Sequence, residues 1–201
     1  MKKETRTNIK GRVARILLNE PAGTLTKYRV AKLAGSGYPW IHSLLQKLEG
    51  QGIIRKTRVR NFKSLFLWWR RWQPAFRYRE YMVQNPLELL RKTGLEYALT
   101  TYQAENKIQN YLFPSRTDIY IHLEDKQRWH SLLAENGLVG KGNLRILYGD
   151  DHVFYKSSKV DDLTLVSTPQ IIFDLYNEGS VCVEAGDMLL EKAERDALRR
   201  L

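Results

Sequence analysis

Four consecutive residues, Gly149, Asp150, Asp151 and His152, bring two carboxylates and an imidazole together in a chain of 201 residues. Asp161 and Asp162 follow closely, and Glu184, Asp187 and Glu191 form a later acidic row. Carboxylates in such numbers are what a metal-dependent nuclease uses to hold Mg²⁺, usually with a lysine near the nucleophile. Gly-Asp-Asp is also what a tight hairpin turn wants for its backbone geometry. At helical spacing, Glu184, Asp187 and Glu191 read as a solvated or partner-facing edge beside a core stripe of Val181, Ala185, Met188 and Leu189. The turn and edge readings are preferred. No Gly-rich phosphate loop, no HExxH and no specific Cys–His or Ser–His spacing accompanies the carboxylates. The expectation is a protein with no catalytic residue, no metal and no cofactor. A metal-dependent nuclease or other nucleic-acid-processing enzyme is the alternative.

The cations say more. The net charge of +11 is uneven: residues 1–80 hold 19 Lys and Arg against 4 Asp and Glu, and the rest of the chain holds 14 against 18. A basic module that meets polyanions, joined to a module with another task, explains the asymmetry, and a basic solvated surface is the bland alternative. Apolar residues at 43% mark a globular chain. No apolar run approaches the roughly 18 residues of a membrane span, and the basic start "MKKETRTNIKGR" has no apolar stretch behind it, so no signal peptide and no membrane are expected. Cys182 is the single cysteine, which excludes an internal disulfide and a zinc site built on several cysteines. A cytosolic protein follows.

Helical spacing organises the basic half. Ile9, Val13, Ile16 and Leu17 make one stripe of a first helix, ended by Pro21 and Gly23. Thr26 caps a second short helix whose buried side is Val30, Leu33 and Ala34. Gly35 and Gly37 turn the chain, and a third helix begins at Tyr38–Pro39 with Ile41, Leu44, Leu45 and Leu48 inward. The period then changes to about two, and two antiparallel strands are read near 53–59 and 64–70, joined by Arg60–Lys63. Three helices followed by a hairpin resemble a winged helix-turn-helix. The resemblance implies a third helix that enters the major groove of DNA.

Steps of 100° put Pro39, Ser43 and Gln46 opposite the leucines, with Trp40, His42 and Lys47 flanking them. Ser43, Gln46 and His42 can hydrogen-bond bases, and Tyr38 or Trp40 can pack on sugar or a thymine methyl. Arg55, Lys56, Arg58, Arg60 and Lys63, on or near the wing, suit phosphates or an adjacent minor groove. Lys27 on the second helix joins the DNA-binding set. Competing readings stand beside these: Trp40 folded back on the core, and His42 as a structural or solvated histidine.

Trp68, Trp69 and Trp72 interleave with Arg70 and Arg71. They suit either a domain seam, which is preferred, or stacking on bases. Pro74 is the expected boundary between residues 1–73 and 74–201. Beyond it, helices are read at "NPLELLRKTG", "LEYALTTYQAENKIQNY", "KQRWHSLLAENG" and the last two segments. Strands are read at "TDIYIHL", "NLRILYG", "HVFY" and "LTLVS", giving an α/β or α+β domain with a small sheet.

The string from Leu163 to Glu191 resembles the closing signature of the AbiEi-type antitoxins and transcriptional regulators of type IV toxin–antitoxin systems. The matching residues are Ser167, Pro169 and Gln170, then Asp174-Leu175-Tyr176, then Glu184-Ala185 and Leu189-Leu190-Glu191. Gly186 stands where the family has a second alanine, and the loop Glu178-Gly179-Ser180 has no arginine. The resemblance covers most of the chain, because a winged helix ahead of such a domain is the family's arrangement. It implies binding to inverted repeats in the protein's own promoter and repression of a bicistronic operon. It also implies action against a nucleotidyltransferase-like toxin without a stable complex. A monomer or a homodimer is expected.

Overall fold

α1 (Arg6–Asn19) buries the expected stripe of Ile9, Val13, Ile16 and Leu17, together with Ala14, Arg15 and Leu18. The structure, a computed structural model, describes residues 6–72 and 77–199. It is of the α+β class. The chain divides into two units, residues 1–74 with 188–201 and residues 75–187. The boundary expected at Pro74 lies outside the described residues.

In the first unit, α2 (Lys27–Ala34) starts where the Thr26 side chain accepts the Arg29 N–H, and ends at Gly35 in the left-handed region. Arg12 of α1 adds a donor to the Ala34 carbonyl at that end. α3 (Tyr38–Gly50) buries Ile41, Leu44, Leu45 and Leu48, as its spacing predicts. The hairpin differs from expectation. Both strands lie within residues 53–59: β1 (Ile54–Arg55) and β2 (Arg58–Val59) pair as Ile54↔Val59 and Arg55↔Arg58. Residues 64–70 form no strand. They belong to α4 (Phe62–Arg70), whose cap is the Asn61 side chain accepting the Ser64 N–H at 2.8 Å. Phe62, Leu65, Phe66 and Trp69 bury one face at helical spacing. Trp69 stacks 6.1 Å from Phe66 and lies beneath the Arg15 guanidinium, 5.3 Å from its ring.

The second unit is built on a seven-stranded sheet in the order β6-β3-β7-β5-β4-β9-β8. Its strands are β3 (Arg77–Val83), β4 (Tyr97–Thr100), β5 (Thr117–Ile121), β6 (Gly137–Val139), β7 (Leu144–Tyr148), β8 (Ser158–Val160) and β9 (Leu163–Leu165). Its helices are α5 (Pro86–Lys92), α6 (Thr101–Gln109), α7 (Lys126–Glu135), α8 (Thr168–Glu178) and the start of α9 (Val181–Arg199). Side chains alternate across the sheet. One face meets α7, through Tyr81 to His130 at 3.0 Å and Tyr97 against Trp129 at 6.1 Å. The other meets α8, where Asp174 accepts from Thr100 at 2.6 Å, Tyr120 at 3.0 Å and Gln170 at 2.8 Å.

Three sequence expectations fail here, wholly or in part, for physical reasons. Residues 97–100, read as helix, are strand β4, buried on both faces. The strand read at "TDIYIHL" holds as β5, which is central, so all five of its residues are buried. "HVFY" is no strand: Asp151–Phe154 is a 3-10 turn capped by the Asp150 side chain. The stripe expected on α9 holds at Ala185 and Leu189 and fails at its other two positions. Val181 and Met188 are exposed, while Cys182, Ala185 and Leu189 are buried. Gly186 faces the Tyr176 ring, where an added Cβ would lie 3.2 Å from the nearest ring carbon.

Candidate nucleic-acid interface

The outward face of α3 carries Pro39, Ser43, Gln46 and Lys47, all exposed. The helix supplies two flanks to this face, because 100° steps send Tyr38, His42 and Glu49 to one side and Trp40 and Lys47 to the other. Each flank meets a different neighbour.

On the first side stand α2 and the hairpin. Glu49 accepts the Lys56 N–H at 2.7 Å and pairs with the Lys27 ammonium at 3.7 Å. The Lys56 amide above all, helped by Lys27, holds its carboxyl below the usual carboxylate value against the opposing effect of desolvation. Lys27 is therefore tied to a carboxylate. Tyr38 is 42% exposed, 5.6 Å from the His42 ring and 6.2 Å from Tyr28 of α2, itself 67% exposed. Tyr28 escaped the sequence reading because an exposed tyrosine on a short helix carries no periodic signal.

The hairpin is small and anchored. Lys56 takes a left-handed conformation, φ 59°, in the turn. Thr57 beside it is buried and donates its hydroxyl to the Leu25 carbonyl at 2.6 Å and the Gly23 carbonyl at 3.3 Å. The Val59 N–H donates to Pro21 at 2.9 Å. Gly23, at φ 79°, admits no side chain, since a Cβ there would come within 2.7 Å of the Arg58 Cβ and 2.9 Å of its backbone. Arg58 is half-buried by this contact, whereas Arg55, Lys56 and Arg60 are exposed. Lys63 is exposed too, but in the first turn of α4, not in a loop between strands.

On the second side stands the start of α1. Trp40 is half-buried and lines a cleft of about 300 Å³ with Arg6, Ile9, Gly35, Ser36 and Gly37. Lys10 sits 3.0 Å above the Trp72 ring, and Trp72 is 40% exposed. Desolvation, and then the charges of Lys47 and Arg6, lower the Lys10 pKa. Arg6, Lys10 and Lys47 thus form a second cluster of cations beside α3. The ambiguous pair of aromatics separates: Tyr38 joins an exposed aromatic row, and Trp40 turns toward α1.

The acidic candidates are held in structural contacts. Asp150 accepts the His152 N–H, Asp151 pairs with His122 at 2.9 Å, and Asp161 pairs with Lys107 at 2.7 Å. Asp161 and Asp162 both have positive φ, as the two-residue turn between β8 and β9 requires. Asp187 accepts the Tyr176 hydroxyl at 2.8 Å. Glu184 and Glu191 are exposed. Among the described residues, no group of three or more His, Cys, Asp or Glu side chains gathers to hold a metal ion.

The strongest charge cluster is one the sequence did not announce. Asp118 of β5, fully buried, accepts from Arg145 at 2.9 and 3.0 Å, from Arg116 at 2.7 and 3.2 Å, and from the Thr101 hydroxyl. Glu178 at the end of α8 closes it, accepting from Arg116 at 2.7 Å and Arg145 at 2.6 Å. Two cations meet two carboxylates, so the cluster is neutral and its hydrogen bonds tie β5, β7, α6 and α8 together.

Among the described residues, no helix is long and apolar enough to cross a membrane. No family model, no curated protein and no solved structure matches the chain.

Proposed function

We propose that the first unit is a winged helix-turn-helix that binds duplex DNA, with α3 in the major groove and the short hairpin as its wing. The observation that carries this reading is the polar face of α3, Ser43 and Gln46, exposed between two sets of cations. Arg55, Lys56, Arg60 and Lys63 suit phosphates on one side, and Arg6, Lys10 and Lys47 on the other. Ser43, Gln46 and His42 suit base edges, and Tyr38 with Tyr28 suits sugars and thymine methyls. The protein is then a sequence-specific transcriptional regulator acting in the cytoplasm on inverted repeats in its own promoter.

The Leu163–Glu191 resemblance extends the proposal to an AbiEi-type antitoxin that counteracts a nucleotidyltransferase-like toxin. Three residues of that string are structurally engaged: Gln170 and Asp174 lie in the buried network of α8, and Tyr176 holds Asp187. The DNA reading is tested by selecting binding sites from a random duplex pool with the wild type and with Ser43→Ala and Gln46→Ala. A shifted preference at one or two positions is expected, each worth about 1–3 kcal/mol. An unchanged preference in both variants contradicts it. The antitoxin reading is tested by growth rescue on co-expression with a nucleotidyltransferase-like toxin encoded beside it.

A further inference from the structure

One carboxylate stands against the charge of the first unit. Residues 1–80 hold 19 Lys and Arg but only 4 Asp and Glu, and one of those four is Glu49, in the last turn of α3. A negative charge there repels the phosphates that the neighbouring cations suit. Its partners point to a task that offsets this repulsion. One oxygen of Glu49 accepts the Lys56 N–H at 2.7 Å, and the other meets the Lys27 ammonium at 3.7 Å. A single side chain thereby joins α3, α2 and the turn of the hairpin.

The hairpin depends on such anchors. Its strands have two residues each, and an isolated two-stranded hairpin is marginal even when longer. Lys56 and Thr57 connect them, and Lys56 takes a positive φ that residues with a side chain seldom adopt. The Lys56 N–H lies outside the ladder, whose last pair is Arg55↔Arg58, and Glu49 is the acceptor it finds. The Thr57 hydroxyl and the Val59 N–H fasten the hairpin to the carbonyls of Leu25, Gly23 and Pro21, all in the connection between α1 and α2. Glu49 is the anchor of the turn that comes from α3 itself.

We infer that Glu49 is a positioning residue: through the Lys56 amide it sets the wing against α3, so that helix and wing reach the duplex together. Resting on the DNA reading of the first unit, this role predicts that removing a negative charge from a DNA-facing surface weakens binding. A carboxylate that merely repels phosphates predicts the opposite. The conservative change separates charge from geometry. Glu49→Gln drops the charge but keeps a side-chain oxygen for the Lys56 N–H, whereas Glu49→Ala drops both.

Fluorescence anisotropy of the full chain on a labelled duplex of its own upstream sequence, from about 50 to about 200 mM salt, tests this role. Glu49→Ala should raise Kd about tenfold. Its slope of log K against log salt should become shallower by about 0.9 for each phosphate the wing no longer reaches. Glu49→Gln should bind at least as tightly as the wild type, with the wild-type slope. Far-UV circular dichroism checks that both variants are folded. Without any DNA, hydrogen exchange at the Lys56 amide should be faster in Glu49→Ala and stay slow in Glu49→Gln. A wild type that binds no duplex overturns this role together with the DNA reading. A wild type that binds while Glu49→Ala binds as tightly or more tightly overturns this role alone. A Glu49→Gln variant as weak as Glu49→Ala, or a Lys56 amide that exchanges alike in all three proteins, also overturns it.

Discussion

Arg55 and Arg60 in the first unit stand exposed, whereas Arg116 and Arg145 in the second are drawn against Asp118 and Glu178. The same side chain has opposite tasks. An exposed guanidinium keeps its charge available to a polyanion and adds little to stability. A buried one surrounded by carboxylates has no net charge to offer, and its removal exposes the cost of an unpaired ion. The unit with the excess of cations is therefore the one suited to binding, and the one with the strongest ion pairs is the one they hold together.

Four experiments break or sharpen this contrast. The largest effect is expected from Asp118→Ala, which leaves the buried Arg145 and its neighbour Arg116 to share the single carboxylate of Glu178 and should cost about 3–5 kcal/mol in urea unfolding. A loss below about 1 kcal/mol would mean that the arginines are solvated like surface ions. Next, Gly23→Ala forces a Cβ into Arg58 at a positive φ. It should cost about 1–3 kcal/mol, read from the same unfolding curves. Third, Arg55→Ala with Lys56→Ala should shift stability by less than about 0.5 kcal/mol. The same pair should weaken duplex binding about tenfold at fixed salt, by fluorescence anisotropy. Smallest is the effect of pH through His122. Burial opposes its charging, but Asp151 at 2.9 Å and Glu96 at 3.3 Å outweigh it and raise its pKa. A raised folded pKa gives stabilisation that is complete below the unfolded value of about 6.5 and lost as pH rises through the folded one. The wild type should therefore lose more stability than His122→Asn between about pH 6 and pH 8, by less than about 1 kcal/mol.

In the first unit α1, α2 and α3 were legible because each buries one face: Ile41, Leu44, Leu45 and Leu48 alone orient α3. α4 was not read, although Asn61 and the spacing of Phe62, Leu65, Phe66 and Trp69 signalled it. Aromatic residues suggested a strand, yet residues 62–70 contain no Val, Ile or Thr. In the second unit the strands β5 and β7 were legible, but β4 was read as helix, because a strand buried on both faces shows no alternation to set it apart from the helix that follows. α9 failed differently. Val181 and Met188 are apolar but exposed, and Cys182 and Gly186 are small but buried, so apolarity found Ala185 and Leu189 and missed the rest of the stripe. The cluster of Thr101, Arg116, Asp118, Arg145 and Glu178 was invisible because its members meet only when β5, β7, α6 and α8 assemble. The cations on the cleft side of α3, Arg6 and Lys10 beside Lys47, were hidden for the same reason.

The most direct test of the binding reading is the salt dependence of the full chain's affinity for a duplex carrying its own upstream sequence. If α3 enters the groove between two cationic flanks, log K should fall linearly with log salt, with a slope of about −0.9 for each phosphate neutralised and several neutralised in all. Binding that is absent at about 50 mM salt, or that does not change between about 50 and 200 mM, would contradict it.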